Sequence, residues 1–517
     1  MITYTSSSQL SIEEFETPFE ATLLPDNRWV KLAKIVPWDI FATIYMKLMN
    51  NEIGRSGICP RIVLGALIIK HMEKLDDRGV IEVIQENIYM QYFLGLKGFS
   101  TQPVFHPSLF VEIRKRIGTT AFDKLTQDLI KSSNANSKNK KKTIKKEEHQ
   151  DYQEHQDSIE VQDQQAPPNQ GKLQMDATVA DQYISYPTDS KLLNTSRKQL
   201  EKIIDKLYGL LDKKGTKPRT YRRKMDASFL DYAKKKKKSN ATHRKMNRKL
   251  LECVKRNIKH IHNQLDQLEA ISSVFPLNYK EQKMLWVIQT LYHQQQQMYN
   301  QNTKRCDNRI VSIFQPHVRP IVRGKTNAKV EFGSKLGVGL QNGFARIHTL
   351  SWDAYNESSD LISQVESFKD LNGYYPELVQ VDKIYATREN RAWLKQRGIR
   401  ITAAPLGRKS KELLEESYYK KRKRKKEATE RNQIEGKFGQ GKNGYNLNKI
   451  RARLKDTSES WIAAIFFVMN LIRYRKTVVF WLQTKLELHL NIALKPFLNV
   501  FNHQFNQNQI YRNLIIK

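Results

Sequence analysis

The stretch from Lys131 to Gly171, KSSNANSKNKKKTIKKEEHQDYQEHQDSIEVQDQQAPPNQG, limits the possible folds more than any other part of the chain. It is nearly free of large apolar residues and rich in Lys, Gln, Asp and Ser. Such a segment buries too little surface to offset the entropy of ordering it. A flexible linker is therefore expected at 131–171, dividing the 517 residues into a short N-terminal unit and a long C-terminal one. The total length allows about two to four domains.

The N-terminal unit, 26–118, reads as helical. RIVLGALIIKHMEKL carries apolar residues at helical spacing behind Pro60, which suits a first helical turn. DDRGVIEVIQENIYMQYFLGL supplies a second amphipathic helix. PSLFVEIRKRIG supplies a third, with Ser108 as N-cap and Gly118 at its end. Three short helices ending in Arg114, Lys115 and Arg116 suggest a helix-turn-helix-like DNA-binding unit. The same pattern also fits a small helical bundle with a polar face.

Beyond the linker the pattern alternates. KLQMDATVAD is a candidate strand. From about 189 to 301, two apolar stripes (Leu200, Ile203, Ile204, Leu207, Leu210, Leu211, and Leu251, Val254, Ile258, Ile261, Leu265, Leu268) mark helices that flank an intensely basic connection containing Lys234–Lys238. RIVSIF, KVEFGSKLGVGL and ARIHTLSW then read as antiparallel strands. ELVQVD and IRITAAP read as two more, separated by the helical TRENRAWLKQRG. That order predicts an α/β core with a mixed sheet and a helical arm inserted between its first two strands.

Lys plus Arg number 88 against 53 Asp plus Glu, a formal net charge of +35. A field of that size recruits polyanions, nucleic acid foremost, because each neutralised phosphate releases counterions. Cys59, Cys253 and Cys306 are far apart, which speaks against a disulfide framework or structural zinc and fits a reducing cytoplasm. The polar, acidic N-terminus does not read as a signal peptide. The most apolar run, Trp461 to Ile472, is shorter than the roughly 20 residues a membrane span needs and reads as a buried helix. No phosphate-binding or dinucleotide motif is present, so nothing supports ATP or NAD dependence.

Three acids stand out. Asp176 and Asp382 follow apolar strand segments, where open α/β sheets place their sites. Glu435 lies in a candidate helix with Arg431 four residues before it, on the same face. Carboxylates from two strands and a helix suit a two-metal phosphoryl-transfer site. Each is equally open to a plainer role, such as a turn or helix cap for Asp176.

QMDATVADQYISYPTDSKLLN, VDKIYATRENRAWLKQRGIRITAAPLG and RNQIEGKFGQGKNGYNLNKIRARL resemble the DDE transposases of bacterial insertion sequences, in the branch with a Y-x2-R-x3-E-x6-K signature. Arg431, Glu435 and Lys442 keep that spacing, and Ala428 stands where the tyrosine belongs. The resemblance implies an RNase H-like catalytic core at 172–475 and a C-terminal tail at 476–517. It implies that Asp176, Asp382 and Glu435 hold two Mg2+ or Mn2+ ions. It makes Arg431, Lys442, Arg388, Arg391, Lys437 and Lys383 candidate DNA contacts. Terminal inverted repeats and target DNA become the expected partners, bound by a homodimer in the cytoplasm at the nucleoid. The expected activity is cleavage of element ends and joining of the 3′-hydroxyl to target DNA. The alternatives are an RNase H-like nuclease without strand transfer and a domesticated, non-catalytic DNA-binding protein.

Four other segments are more loosely placed. The basic run Lys420–Lys426 would draw phosphates toward Glu435, or be a solvated loop. His317 and Arg323–Lys325 are weaker candidates. YPTDSK, Tyr186–Lys191, is a helix start or a segment near the site, and Trp352–Glu357 reads as a loop.

Overall fold

The computed structural model describes residues 15–17, 22–49, 57–148, 168–211, 216–322, 330–403 and 417–483. The N-terminal unit is helical, with more helices than the three expected: α1 (Arg28–Ile35), α2 (Trp38–Met46), α3 (Pro60–Met72), α4 (Gly79–Glu86), α5 (Ile88–Leu94) and α6 (Leu109–Glu148); the expected second helix is divided into α4 and α5 at the extended Asn87. Pro60 opens α3, where its missing N–H costs nothing, and the Asn87 side chain caps α5 by accepting from the Met90 N–H. Gly118 ends the first helical stretch, as expected, and a second begins directly after it. Its φ of 61° and ψ of −168° put a kink there that a residue with a Cβ would resist.

α6 also enters the segment expected to be a flexible linker. Leu129, Ile130 and Ser133 are buried, and Asn134 donates to Asn372 Oδ1 at 3.1 Å, so tertiary packing holds the start of a run whose composition alone would not. The rest of that segment, 149–167, lies outside the described residues, as do Arg323–Lys325 and the tail beyond 483.

The sheet has six strands and is mixed. Its centre is β1 (Lys172–Asp181). β2 (Arg319–Val322), β3 (Val330–Gln341) and β4 (Phe344–Ser351) follow, with β3 antiparallel to β1, β2 and β4. β5 (Leu378–Gln380) runs parallel to β1 on the other edge, and β6 (Arg400–Ile401) parallel to β5. RIVSIF, expected as a strand, is irregular; the strand begins later, at Arg319. Ile310, Val311 and Ile313 are nevertheless buried, since they pack under the arm and against Trp352 without needing a ladder. β1 is covered on both faces, so its apolar residues run on instead of alternating. Leu173 and Met175 are buried on one face, Gln174 and Thr178 on the other.

Between β1 and β2 stand α7 (Asp189–Leu210), α8 (Arg222–Lys234), α9 (Asn240–Glu269) and α10 (Tyr279–Asn300). They enclose an apolar cluster of their own, to which Leu200, Ile204, Leu250, Val254 and Ile288 belong. The helices start on local signals: Thr188 and Ser239 cap α7 and α9, and Asn278 with Glu281 forms a capping box on α10. Lys235–Lys238 sit at the exposed α8–α9 turn.

Helices cover both sheet faces. α11 (Asp360–Asn372) and α12 (Arg388–Gln396) pack with Leu173, Met175 and Val379. α13 (Tyr418–Glu430) leads into α14 (Asn432–Gly444) and then the helix at 455–483, α15. α14 and α15 cover the opposite face through Ile434, Phe438, Ile462, Ile465 and Phe466.

α15 carries the apolar run noted in the sequence, and it serves two cores. Ala464, Phe467, Val468 and Leu471 lie in one cluster with Trp38, Phe41, Leu67 and Phe122 of the N-terminal unit. A buried ionic group reinforces the contact. Lys70, fully buried, donates to Asp77 at 2.7 Å and stands 3.3 Å from the centre of the Trp461 ring. Arg114 grips the same carboxylate with two hydrogen bonds, at 2.9 and 2.7 Å. Arg114 is therefore an internal residue and not part of a DNA-reading face; Lys115 and Arg116 remain exposed.

Candidate active site

The β1–β5 ladder ends at the pair Gln174–Gln380. Two residues further along each strand come Asp176 and Asp382. Here β1 stays paired with β3, at Asp176–Val338, while the chain after β5 turns away. Such a divergence at the carboxyl ends of parallel strands is where open α/β sheets form a crevice. Asp176 is half-buried, and its Oδ1 accepts from the Ala177 N–H at 2.8 Å. Asp382 is exposed and caps the short 3-10 turn Lys383–Tyr385, its Oδ1 accepting from the Lys383 N–H at 2.7 Å.

Glu435 reaches the crevice from α14. Arg431, at the α13–α14 junction, lies between the two acids: its Nη2 donates to Glu435 Oε1 at 2.9 Å, and its Nη1 stands 3.5 Å from Asp176 Oδ2. Burial raises the Asp176 carboxyl above its ordinary pKa. The Ala177 N–H and Arg431 oppose the rise, and the charges of Glu357 and Glu435 add to it.

Three of these features bear on a divalent metal. All three acids of the site offer hard carboxylate oxygens, the donors that Mg2+ and Mn2+ prefer. Two of them already converge on one cation, the Arg431 guanidinium. Burial, with a smaller addition from the Glu357 and Glu435 charges, raises Asp176, and a bound cation would oppose both. The donor set thus fits. As placed, no three His, Cys, Asp or Glu side chains among the described residues are close enough to hold an ion, and Arg431 takes the position between two of them.

The cationic candidates separate into two sets. Lys383, next to Asp382 in the chain, and Arg388, at the start of α12, are both exposed. Arg391 is half-buried and donates to the Ala386 and Ala403 carbonyls, tying α12 to the chain after β6. Lys442 pairs with Glu331 at 3.4 Å and lies 3.9 Å from Asp181, away from Asp176. Lys437 is buried on the inner side of α14, where burial, with the charges of Arg473 and Lys476, lowers its pKa to about 8. His317 packs edge-on against Trp352 at 4.4 Å, a packing role.

Two site residues lie outside the sequence-derived set. Glu357, in the 3-10 turn Glu357–Ser359, pairs with Lys335 at 2.9 Å and acts electrostatically on both Asp176 and Tyr385. Tyr385 is fully buried, its hydroxyl has no hydrogen-bond partner among the described residues, and burial with the Glu357 and Asp176 charges drives its pKa far up. The Asn390 side chain joins the two turns by donating to the Ser358 and Tyr385 carbonyls, both at 2.8 Å. The signal for Glu357 was the acid in YNES ahead of α11, in a segment read as a loop.

A cleft of about 730 Å³ opens between α12, β6 and α13, lined by Arg391, Lys395, Lys420, Lys423 and Arg424 among others. The basic run 420–426 is helical, part of α13.

Residues 379–472, from β5 through most of α15, match a family model described as Transposase DDE domain. Residues 18–116 match a second, Transposase domain (DUF772). Both segments of the chain are thus similar to transposases, and the second is similar to those with a DDE domain. A protein of Rhizobium meliloti described as uncharacterized protein ORF8 in nfe locus is 25% identical over 178 residues, 34% of this chain and 73% of that protein. No solved structure matches. Among the described residues, no helix is long and apolar enough to cross a membrane.

Proposed function

We propose that the protein cuts the ends of a mobile DNA element and joins the freed 3′-hydroxyl to target DNA, on an RNase H-like core. The observation that carries the reading is the approach of Asp176 and Glu435 to a single cation at the end of the β1–β5 ladder, with Asp382 level with Asp176. Asp176, Asp382 and Glu435 are the residues that would hold two Mg2+ or Mn2+ ions. A metal held by these residues would supply activation of the attacking hydroxyl and stabilisation of the departing oxygen. Lys383, next to Asp382 in the chain, and Arg388, both exposed, would hold the phosphates flanking the scissile bond. Arg391, Lys442 and Lys437 would act through the scaffold that presents them. The N-terminal unit and the helical arm would recognise the terminal repeats, with two copies of the chain pairing the ends at the nucleoid.

The test is a labelled duplex carrying the inverted repeat that flanks the coding sequence, incubated with protein and Mg2+. The expected result is cleavage at the repeat boundary and joined products, with Asp176→Ala slowing both by at least about a hundredfold while binding persists. Cleavage without joining would support the nuclease reading. Tight binding with no cleavage in either metal would support the binding-only reading, which the alanine at 428 favours.

A further inference from the structure

The segment Tyr186–Lys191 plays no part in the chemistry above. It lies between β1 and α7, and with 311–315 and 451–453 it lines an open cleft of about 540 Å³. Tyr183, Tyr186 and Phe314 stand in that lining with 60%, 68% and 52% of their surface exposed. Three large rings left in water at one place mark a contact surface. Tyr186 meets Phe332 edge to face, at 5.7 Å between ring centres, and the Lys449 ammonium stands 5.0 Å from the Tyr183 ring. Lys191 and Arg453 are exposed on the same lining, which includes no Asp or Glu, while its third cation, Arg451, is already paired with Asp76 at 2.8 Å.

Aromatic rings beside cations with no acid among them fit one ligand chemistry well. Unpaired nucleotides offer an open base face to each ring and a phosphate to each cation. In an intact duplex the bases are stacked on each other and only the cations would be used. We propose that this cleft binds unpaired nucleotides of the DNA handled at the carboxylate site. From Asp176 to Tyr183 the chain runs nearly extended for about seven residues, or ~23 Å, equivalent to about seven base-pair steps. The cleft therefore holds DNA melted or bulged at that distance from the cut.

The inference rests on the DNA-processing reading, and the experiment separates the two. The full chain is titrated by fluorescence anisotropy with a single strand, a duplex carrying a bulged nucleotide, and the same duplex fully paired. Tyr186→Ala with Phe314→Ala should weaken the first two by about 5- to 150-fold and change the third by less than about twofold. Tyr186→Phe with Phe314→Trp should restore binding. Tyr186→Ser alone, a milder change at an exposed position, should weaken the first two in the same direction. An equal loss on paired duplex, or no loss on any DNA, overturns the proposal. Mg2+-dependent cleavage is followed in parallel. Cleavage that proceeds while the cleft variants bind normally removes the cleft alone. A selective binding loss in a protein that never cuts DNA supports the cleft and removes the cleavage reading.

Discussion

At the scale of single residues, the site depends on what stands behind it as much as on its acids. Gly337 of β3 faces Ala177, next to Asp176 in the ladder. A Cβ there would lie 2.3 Å from Asp360 Oδ2 and 2.9 Å from the Tyr355 hydroxyl. Those two groups hydrogen-bond each other at 2.8 Å, and Lys335 reaches the Tyr355 carbonyl and the Glu357 carboxylate from the same strand. Gly337→Ala must push this buried network away from the sheet. We expect a cost of about 1–3 kcal/mol in urea denaturation, with cleavage impaired beyond the loss of folded protein. An unchanged midpoint and rate would show that the acid pair shifts freely. Asp176, Asp382 and Glu435 stood out in the sequence because strand ends and a helix spacing are local patterns. Glu357 and Tyr385 did not, because their link to Asp176 arises only when the turns before α11 and α12 are packed together, through Asn390.

At the scale of elements, the contact of α3 and α6 with α15 concentrates three charges in a buried space. Burial and the neighbouring Arg114 lower the Lys70 pKa to about 7, against partial support from Asp77. Free lysine keeps its proton to about pH 10.4. Below pH 7 both folded and unfolded chains carry the charge, and the folded state bears the full burial cost. Between about 7 and 10.4 the unfolded state holds more protons, so this residue's contribution to stability rises with pH. Asp77→Ala strands two buried cations and should cost about 3–5 kcal/mol at pH 6. The loss should shrink at pH 9, where Lys70 sheds its proton and only Arg114 stays unpaired. Chemical denaturation at the two pH values checks this, and an equal loss at both would mean that Lys70 keeps its charge.

The same contact shows how far the elements were legible. α3, the long arm helices α7 and α9, the central strands and the apolar α15 follow from caps and periodicity, whereas α1, α2, α8 and the break between α4 and α5 were not legible. The second helical stretch after Gly118, the irregular 309–314 segment and the burial of Arg114 do not, since each is set by a partner distant in the chain. For α6 that partner includes Arg346, whose guanidinium grips Asp123 at 2.6 and 2.7 Å.

At the scale of the whole molecule, the net charge of +35 is distributed over parts with different duties. Lys70, Arg114 and Arg197 are buried and paired with acids, so they add to the formal charge without offering a contact to DNA. The exposed cations gather elsewhere, at the α8–α9 turn and along α13. α13 leads directly into Arg431 and Glu435, and its Lys420 and Lys423 line the cleft shared with α12. A duplex running along that cleft toward the carboxylates would release counterions from each phosphate it places there. The logarithm of affinity then falls with the logarithm of salt, with a slope of about −0.9 for every phosphate neutralised. Lys420→Ala with Lys423→Ala should flatten that slope by up to about 2 and weaken all duplexes alike, because backbone contacts carry no sequence information. Changing Lys235 and Lys236 to Ala in the same assay asks whether the arm tip shares the duplex. If neither pair alters the slope, the DNA path does not cross these surfaces, and the phosphates nearest the cut would fall to Lys383 and Arg388 alone.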